Sequence, residues 1–196
     1  MIINTEQIKA LREKTGVSVM QCRKALEEAN GDTEKAVVIL RKKSSDIAAK
    51  KSDRTLGAGT IASYLHGAGT VGVLVDLSCE TDFVSGNPEF KALAYDIAMH
   101  IAASKPEFVR VEEITDDMKA KAREVFEEEA KGKPEKIRAQ IVDGKLAAYF
   151  NEKVLLEQPF IKNPDVTVAG LILAAVQKFG EKIEVSRFTR YSVLGK

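Results

Sequence analysis

The sequence predicts an α+β fold: an N-terminal three-helix module, then an antiparallel-sheet core domain with packed helices and a helical excursion. Three observations carry this expectation. Apolar residues recur at helical spacing through about the first forty positions. Runs of β type occur in two distant places, residues 60–77 and 183–193. Between them lie an apolar-striped stretch and a strongly charged helical one, the pattern of a sheet covered by helices. The boundaries that follow are a module at residues 1–43, a basic linker at 44–54 and a core at 55–196.

In the module, Asn4 or Thr5 can cap the first helix, with Ile8 and Leu11 on its buried side and a break at Thr15-Gly16. Ser18 and Gln21 spell an S-x-x-Q capping box, in which each side chain would satisfy a free backbone N–H of the second helix. That helix buries Cys22, Ala25, Leu26 and Ala29. Asn30-Gly31 supplies a left-handed stop and Asp32 caps a third helix with Ala36, Val37 and Leu40 inside. Val19 and Met20, in the turn before the second helix, read equally as core or as exposed anchors. The linker mixes serine and alanine with Lys50, Lys51 and Arg54. A solvated helical extension fits it better than a nucleic-acid patch, because no aromatic side chain is interleaved for base stacking.

Two paired strands are expected from Ile61-Ala62-Ser63-Tyr64-Leu65 and from Val71 to Leu77. Between them, Gly67-Ala68-Gly69-Thr70-Val71-Gly72 is a formal G-x-G-x-x-G. A dinucleotide site needs such glycines after a strand and at the opening of a helix, but a strand-forming run follows here, so a hairpin turn is the better reading. Gly57-Ala58-Gly59 fails similarly. Asn87-Pro88 opens a helix striped by Phe90, Leu93, Ala94, Ile97, Ala98, Ile101 and Ala102, ending near Lys105-Pro106. Residues 115–130 form a charged helix, with Pro134 and Gly144 expected to punctuate shorter ones. A helix over 167–179 stops at Gly180, and Ile183 to Val193 returns to β pattern.

Composition narrows function by exclusion. The 30 Lys+Arg against 29 Asp+Glu leave a formal net charge of +1, so the whole molecule has no field for holding nucleic acid. The longest apolar runs, such as Leu171 to Val176, are far short of the ~20 residues that cross a bilayer, and because Met1-Ile2-Ile3-Asn4 turns polar at once no secretory signal is expected. Cys22 and Cys79 form no C-x-x-C unit, which suits a reducing cytoplasm and neither a disulfide framework nor a zinc site. His66 and His100 sit apart in apolar segments without nucleophile or carboxylate company, which favours structural or partner-contact roles over catalysis. The loop Cys79-Glu80-Thr81-Asp82-Phe83-Val84-Ser85-Gly86 pairs acids with an aromatic. From composition alone, Phe83 reads as a plug over the helix–sheet core and Asp82 as a turn-stabilising side chain.

The runs Leu11-Arg12-Glu13-Lys14-Thr15-Gly16, Met20-Gln21-Cys22-Arg23-Lys24-Ala25-Leu26 and Ala29-Asn30-Gly31-Asp32 resemble the bacterial translation elongation factor Ts family. So do Glu80-Thr81-Asp82-Phe83-Val84, Ala98-Met99-His100-Ile101-Ala102-Ala103-Ser104-Lys105-Pro106, Gln158-Pro159-Phe160 and the segments Gly180 to Ile183 and Arg187-Phe188. The resemblance implies a guanine nucleotide exchange factor for elongation factor Tu, with no covalent catalysis and no cofactor. It implies that the three helices are a ubiquitin-associated-like domain docking through Val19 and Met20, with Arg23 nearby. Thr81, Asp82, Phe83 and Val84 would form the loop that dislodges magnesium. Val71, Gly72 and His100 would meet another domain of the GTPase, and Lys51 would add a basic contact. Where the family often has glycine and aspartate, this chain has Ser18 and Gln21. It resembles the short form, with a single core half, so a homodimer is expected to complete the surface. Neither membrane nor direct nucleic-acid binding is expected. Two rival readings remain: a nucleotide-dependent enzyme resting on the glycine hairpin, and an RNA-binding translation accessory protein resting on Arg41-Lys42-Lys43 and Lys50-Lys51.

Overall fold

The computed structural model describes residues 3–193. Three helices come first: α1 (Thr5–Thr15), α2 (Val19–Glu28) and α3 (Thr33–Ala49). A complete capping box starts α1, where Asn4 accepts from the Gln7 N–H and Gln7 reaches back to the Asn4 N–H. The expected second box is only half formed. Ser18 Oγ accepts from the Gln21 N–H at 3.4 Å, but Gln21 Oε1 takes the Ser18 hydroxyl at 2.9 Å, and the reciprocal backbone bond is lost. Asn30 and Gly31 both adopt positive φ, and Asp32 caps α3. Leu11, Val17, Cys22, Leu26, Val37 and Leu40 then bury one another in a small separate core.

The helix α3 runs unbroken through Ala49, so the expected boundary at residue 43 falls inside it. Its far half is not a solvated extension all round. Ser44 is buried and donates to Gln177, Ile47 and Ala48 pack against the core domain, and Arg41 donates to the Asp165 carbonyl at 3.0 Å.

Strands β1 (Ala58–His66) and β2 (Val71–Cys79) form the expected antiparallel hairpin, pairing Ala58 with Cys79 and His66 with Val71. Gly67, Ala68 and Gly69 take positive φ in succession to turn the chain, and a strand follows, not a helix. The glycines of the G-x-G-x-x-G therefore build the turn that a tight hairpin requires. On the other side of β2 lies β5 (Ile183–Ser192), also antiparallel, with a register shift at Asp76/Leu77. Central β2 accordingly buries every second residue: Val71, Val73, Val75, Leu77 and Cys79. Helices α5 (Pro88–Ser104) and α8 (Val168–Phe179) share that core through Phe90, Ile97, Ile101, Ile172 and Val176. On the opposite face Ile61, Leu65, Leu74 and Tyr191 are exposed.

The charged excursion is a pair of helices, α6 (Asp116–Ala130) and α7 (Glu135–Asn151), closed over its own cluster of Ala130, Val142 and Leu146. The expectation that Gly144 ends a helix is wrong. One interior glycine costs only about 1 kcal/mol, and the packing of Val142 and Leu146 on either side outweighs it. The ends of the excursion are tied together by Glu107 and Phe108, whose N–H groups donate to the Lys153 carbonyl. A two-stranded ladder of β3 (Pro159–Phe160) and β4 (Asn163–Thr167) leads into α8. Among the described residues, no helix is long and apolar enough to cross a membrane.

Gly144→Ala should stabilise the chain by about 0.5–1 kcal/mol, because a Cβ there meets nothing within 4 Å and the unfolded chain loses freedom. Gly180→Ala should cost about 1–2 kcal/mol, because φ at the end of α8 is +72°. Denaturant midpoints of the two variants should shift in opposite directions.

Candidate functional site

After Cys79, β2 ends and the chain makes one helical turn, α4 (Asp82–Ser85), before α5. Val84 points inward and is 3% exposed, whereas Phe83 points outward and is 83% exposed. This overturns the reading of Phe83 as a core plug: Val84 occupies the buried position one residue later. Asp82 stabilises the turn through its backbone, since its carbonyl accepts from the Gly86 N–H at 2.8 Å and the Ser85 hydroxyl at 3.2 Å.

The turn is held from a segment about a hundred residues away in sequence. Glu181 Oε2 accepts from the N–H groups of Glu80 (3.1 Å) and Thr81 (3.0 Å), and Oε1 accepts from the Thr81 hydroxyl (2.6 Å). In return, Glu80 accepts from the Lys182 N–H at 2.5 Å and from Arg54 at 3.0 and 3.2 Å. Partial burial opposes ionisation of Glu80, but the Lys182 N–H and the Arg54 guanidinium outweigh it, so its carboxyl titrates below the usual range. Lys51 joins the cluster by donating to the Gly180 carbonyl at 2.5 Å. Arg54, Glu181 and Lys182 were not singled out from sequence as site residues. The only signal was that the Gly180 to Ile183 motif follows a helix stop.

The other sequence-derived positions fall elsewhere. Val19 and Met20 are 53% and 66% exposed at the opening of α2, so they are surface residues and not core. Arg23, one turn on, is paired with Glu27 at 2.9 Å. Val71 and Gly72 start β2, at the opposite end of that strand from the Phe83 turn, about 26 Å away at 3.3 Å per residue. His100 belongs to their end. Arg190, which pairs with Val73, donates to the Ala102 carbonyl at 3.3 Å, joining the C-terminal part of α5 to that end of the sheet.

His100 is nevertheless 0% exposed, so it can shape a surface only through the residues it holds. Its Nε2 lies 2.8 Å from Gln158 Oε1, and its Nδ1 accepts from the Ile161 N–H at 3.3 Å. That pattern is satisfied by the neutral ring with its proton on Nε2. Burial lowers the His100 pKa, only partly offset by the Gln158 bond. Burial likewise raises both thiols, Cys22 and Cys79, which makes them poor nucleophiles. Of the basic residues behind the RNA reading, Arg41, Lys43 and Lys51 already have partners in the chain. Among the described residues, no group of three or more His, Cys, Asp or Glu is arranged to hold a metal ion.

A family model described as elongation factor TS matches residues 24–196. The chain is 48% identical to the elongation factor Ts of Carboxydothermus hydrogenoformans over 98% of its own length and 89% of that protein's. It is 49% identical to that of Koribacter versatilis over 98% and 89%. With that of Moorella thermoacetica it shares 46% identity over 98% of this chain and 96% of the relative.

The buried histidine makes stability depend on pH. With its folded-state pKa below the unfolded value near 6.5, the native state binds fewer protons there, so the contribution is present above pH ~6.5 and lost as pH falls below it. Between pH 7 and 5 the denaturant midpoint of the wild type should fall more steeply than that of His100→Gln. Parallel slopes would show that His100 is not the titrating group.

Proposed function

This chain belongs to the elongation factor Ts family, and from that premise we propose that it is a guanine nucleotide exchange factor acting on elongation factor Tu in the cytoplasm. The observation that carries the proposal is Phe83, a large apolar ring left 83% exposed on a turn that is otherwise anchored at Val84 and Glu181. A ring held away from its own core is suited to burial in a partner.

The mechanism is one of coupling, without covalent chemistry. A factor that binds the nucleotide-free GTPase better than the nucleotide-bound form must weaken nucleotide by the same ratio. In this reading Phe83, flanked by Asp82, enters beside the magnesium and phosphate site. Displacing the groups that support the ion uncovers phosphate charge, and the diphosphate leaves. Val19 and Met20 dock the three-helix module on the GTPase domain, with Arg23 beside them. Gly72 and the segment shaped by buried Val71 and His100 meet another domain, and Lys51 contributes from the linker by first releasing Gly180. Nucleotide rebinding then expels the factor.

We further propose that the chain works as a homodimer. The open face of the sheet, with Ile61, Leu65, Leu74 and Tyr191 exposed, supports pairing through this domain.

Phe83→Ala should slow stimulated release of labelled GDP from elongation factor Tu by roughly thirtyfold, in line with a hot spot of about 2 kcal/mol, while the denaturant midpoint hardly moves. Asp82→Ala should act in the same direction and less. A large midpoint loss with near-normal release would reject the wedge. Light scattering at micromolar concentration should give about twice the 21.5 kDa of one chain; a monomer mass with full exchange activity would reject the dimer.

A further inference from the structure

We propose that Glu181 is the positioning residue for exchange: it fixes the turn that carries Phe83 and so sets where the ring points. The proposal rests on the exchange reading of that turn. N–H groups at the opening of a helix have no acceptor within it, and a threonine just before a helix ordinarily turns its hydroxyl back to satisfy one of them. Thr81 makes no such cap. Its hydroxyl donates instead to Glu181 Oε1 at 2.6 Å, and its N–H and that of Glu80 donate to Oε2.

A single carboxylate thus takes three donors at the entrance to the turn, all with ionic assistance. It comes from the short connection between α8 and β5, fixed by the left-handed Gly180 on one side and by the Lys182 N–H to Glu80 on the other. The Glu80 carboxylate ties the two connections together by accepting from Lys182 and Arg54. The Thr81 carbonyl is held separately, accepting a weak thiol bond from Cys79 at 3.2 Å and the N–H of Ser85 at 3.2 Å. From Thr81 the chain has two exposed residues, Asp82 and Phe83, before Val84 enters the core. The direction of the Phe83 ring is therefore set between Glu181 at one end and Val84 at the other.

The test uses the full chain with Glu181→Ala and Glu181→Gln, each alone and combined with Phe83→Ala. Amide hydrogen exchange at Glu80 and Thr81 reads the hold on the turn, and labelled-GDP release from elongation factor Tu at saturating chain reads its consequence. Glu181→Ala should speed exchange of both amides and slow GDP release, each by about tenfold, as expected for loss of hydrogen bonds to a charged group. Glu181→Gln, which keeps an acceptor oxygen, should recover most of both. In the Phe83→Ala background, Glu181→Ala should cost no further release, because no ring remains to be aimed. Unchanged amide protection in Glu181→Ala would overturn the hold on the turn. Loosened amides with undiminished release, or an equal loss with and without Phe83, would overturn the positioning role. If the wild type fails to speed GDP release at all, the exchange reading falls, and the amide measurement still decides whether Glu181 holds the turn.

Discussion

Two corners of the core domain trade backbone hydrogen bonds through a pair of carboxylates, and the placement of the exposed Phe83 depends on that trade. Glu80, where β2 leaves the sheet, accepts the N–H of Lys182; Glu181, where β5 is about to enter it, accepts the N–H groups of Glu80 and Thr81. Adjacent acids would repel if left alone. Arg54 on Glu80 and Lys51 on the Gly180 carbonyl bring two cations to the same place, so the end of the linker helps neutralise the corner. The cluster joins three stretches of chain: the segment after α3, the end of β2 and the start of β5. Removing any one would leave groups at the corner without these partners and loosen the link between the two connections.

The rest of the molecule distributes its apolar surface around this corner. The three-helix module has its own core and meets the sheet domain mainly along α3 and α8, where Ser44 bonds Gln177 and Arg41 reaches Asp165. A module with so few large buried side chains contributes modest stability of its own, so the run of α3 on to Ala49 against the core domain matters as much as its packing. The excursion of α6 and α7 is similarly self-contained, and is tied to the core where Glu107 and Phe108 meet Lys153. Three partly independent cores in one chain leave several surfaces free for partners, while the sheet supplies the rigid centre.

Much of the architecture was legible in the sequence because local signals and tertiary packing agree there. Asn87-Pro88, Asp32 and Gly180 act at the helix ends where they were expected, and the alternation in β2 survives because only one face of the sheet is covered. The failures are instructive for the opposite reason. Gly144 has a helix-breaking composition signal, but Val142 and Leu146 hold the helix through it. Gln21 has the spacing for a capping box, yet its side chain takes the nearer Ser18 hydroxyl. The candidate site was half legible. Its motif could be quoted, but a choice between Phe83 and Val84 as the buried residue depends on the rotation of a single helical turn. The role of Glu181 was hidden because its partners lie about a hundred residues earlier, and no periodicity spans that distance.

On the exchange function proposed above, the most useful side chain must be apolar, exposed and yet well placed. Exposure without order would oblige the partner to immobilise the turn on binding, at a cost of about 1–2 kcal/mol for each backbone residue fixed. Here that ordering is largely complete before association: Val84 is buried, the Asp82 carbonyl closes the turn on Gly86, and Glu181 restrains its entrance. Phe83 itself then contributes little to the fold, which leaves its binding energy available for a partner. The polar clamp also lies on exposed and part-buried groups, where its net stabilisation is small. Its value to the molecule is therefore geometric, and the stability of the domain comes from the apolar layer beneath it, where Val75, Leu77, Phe90 and Ile97 pack between sheet and helix.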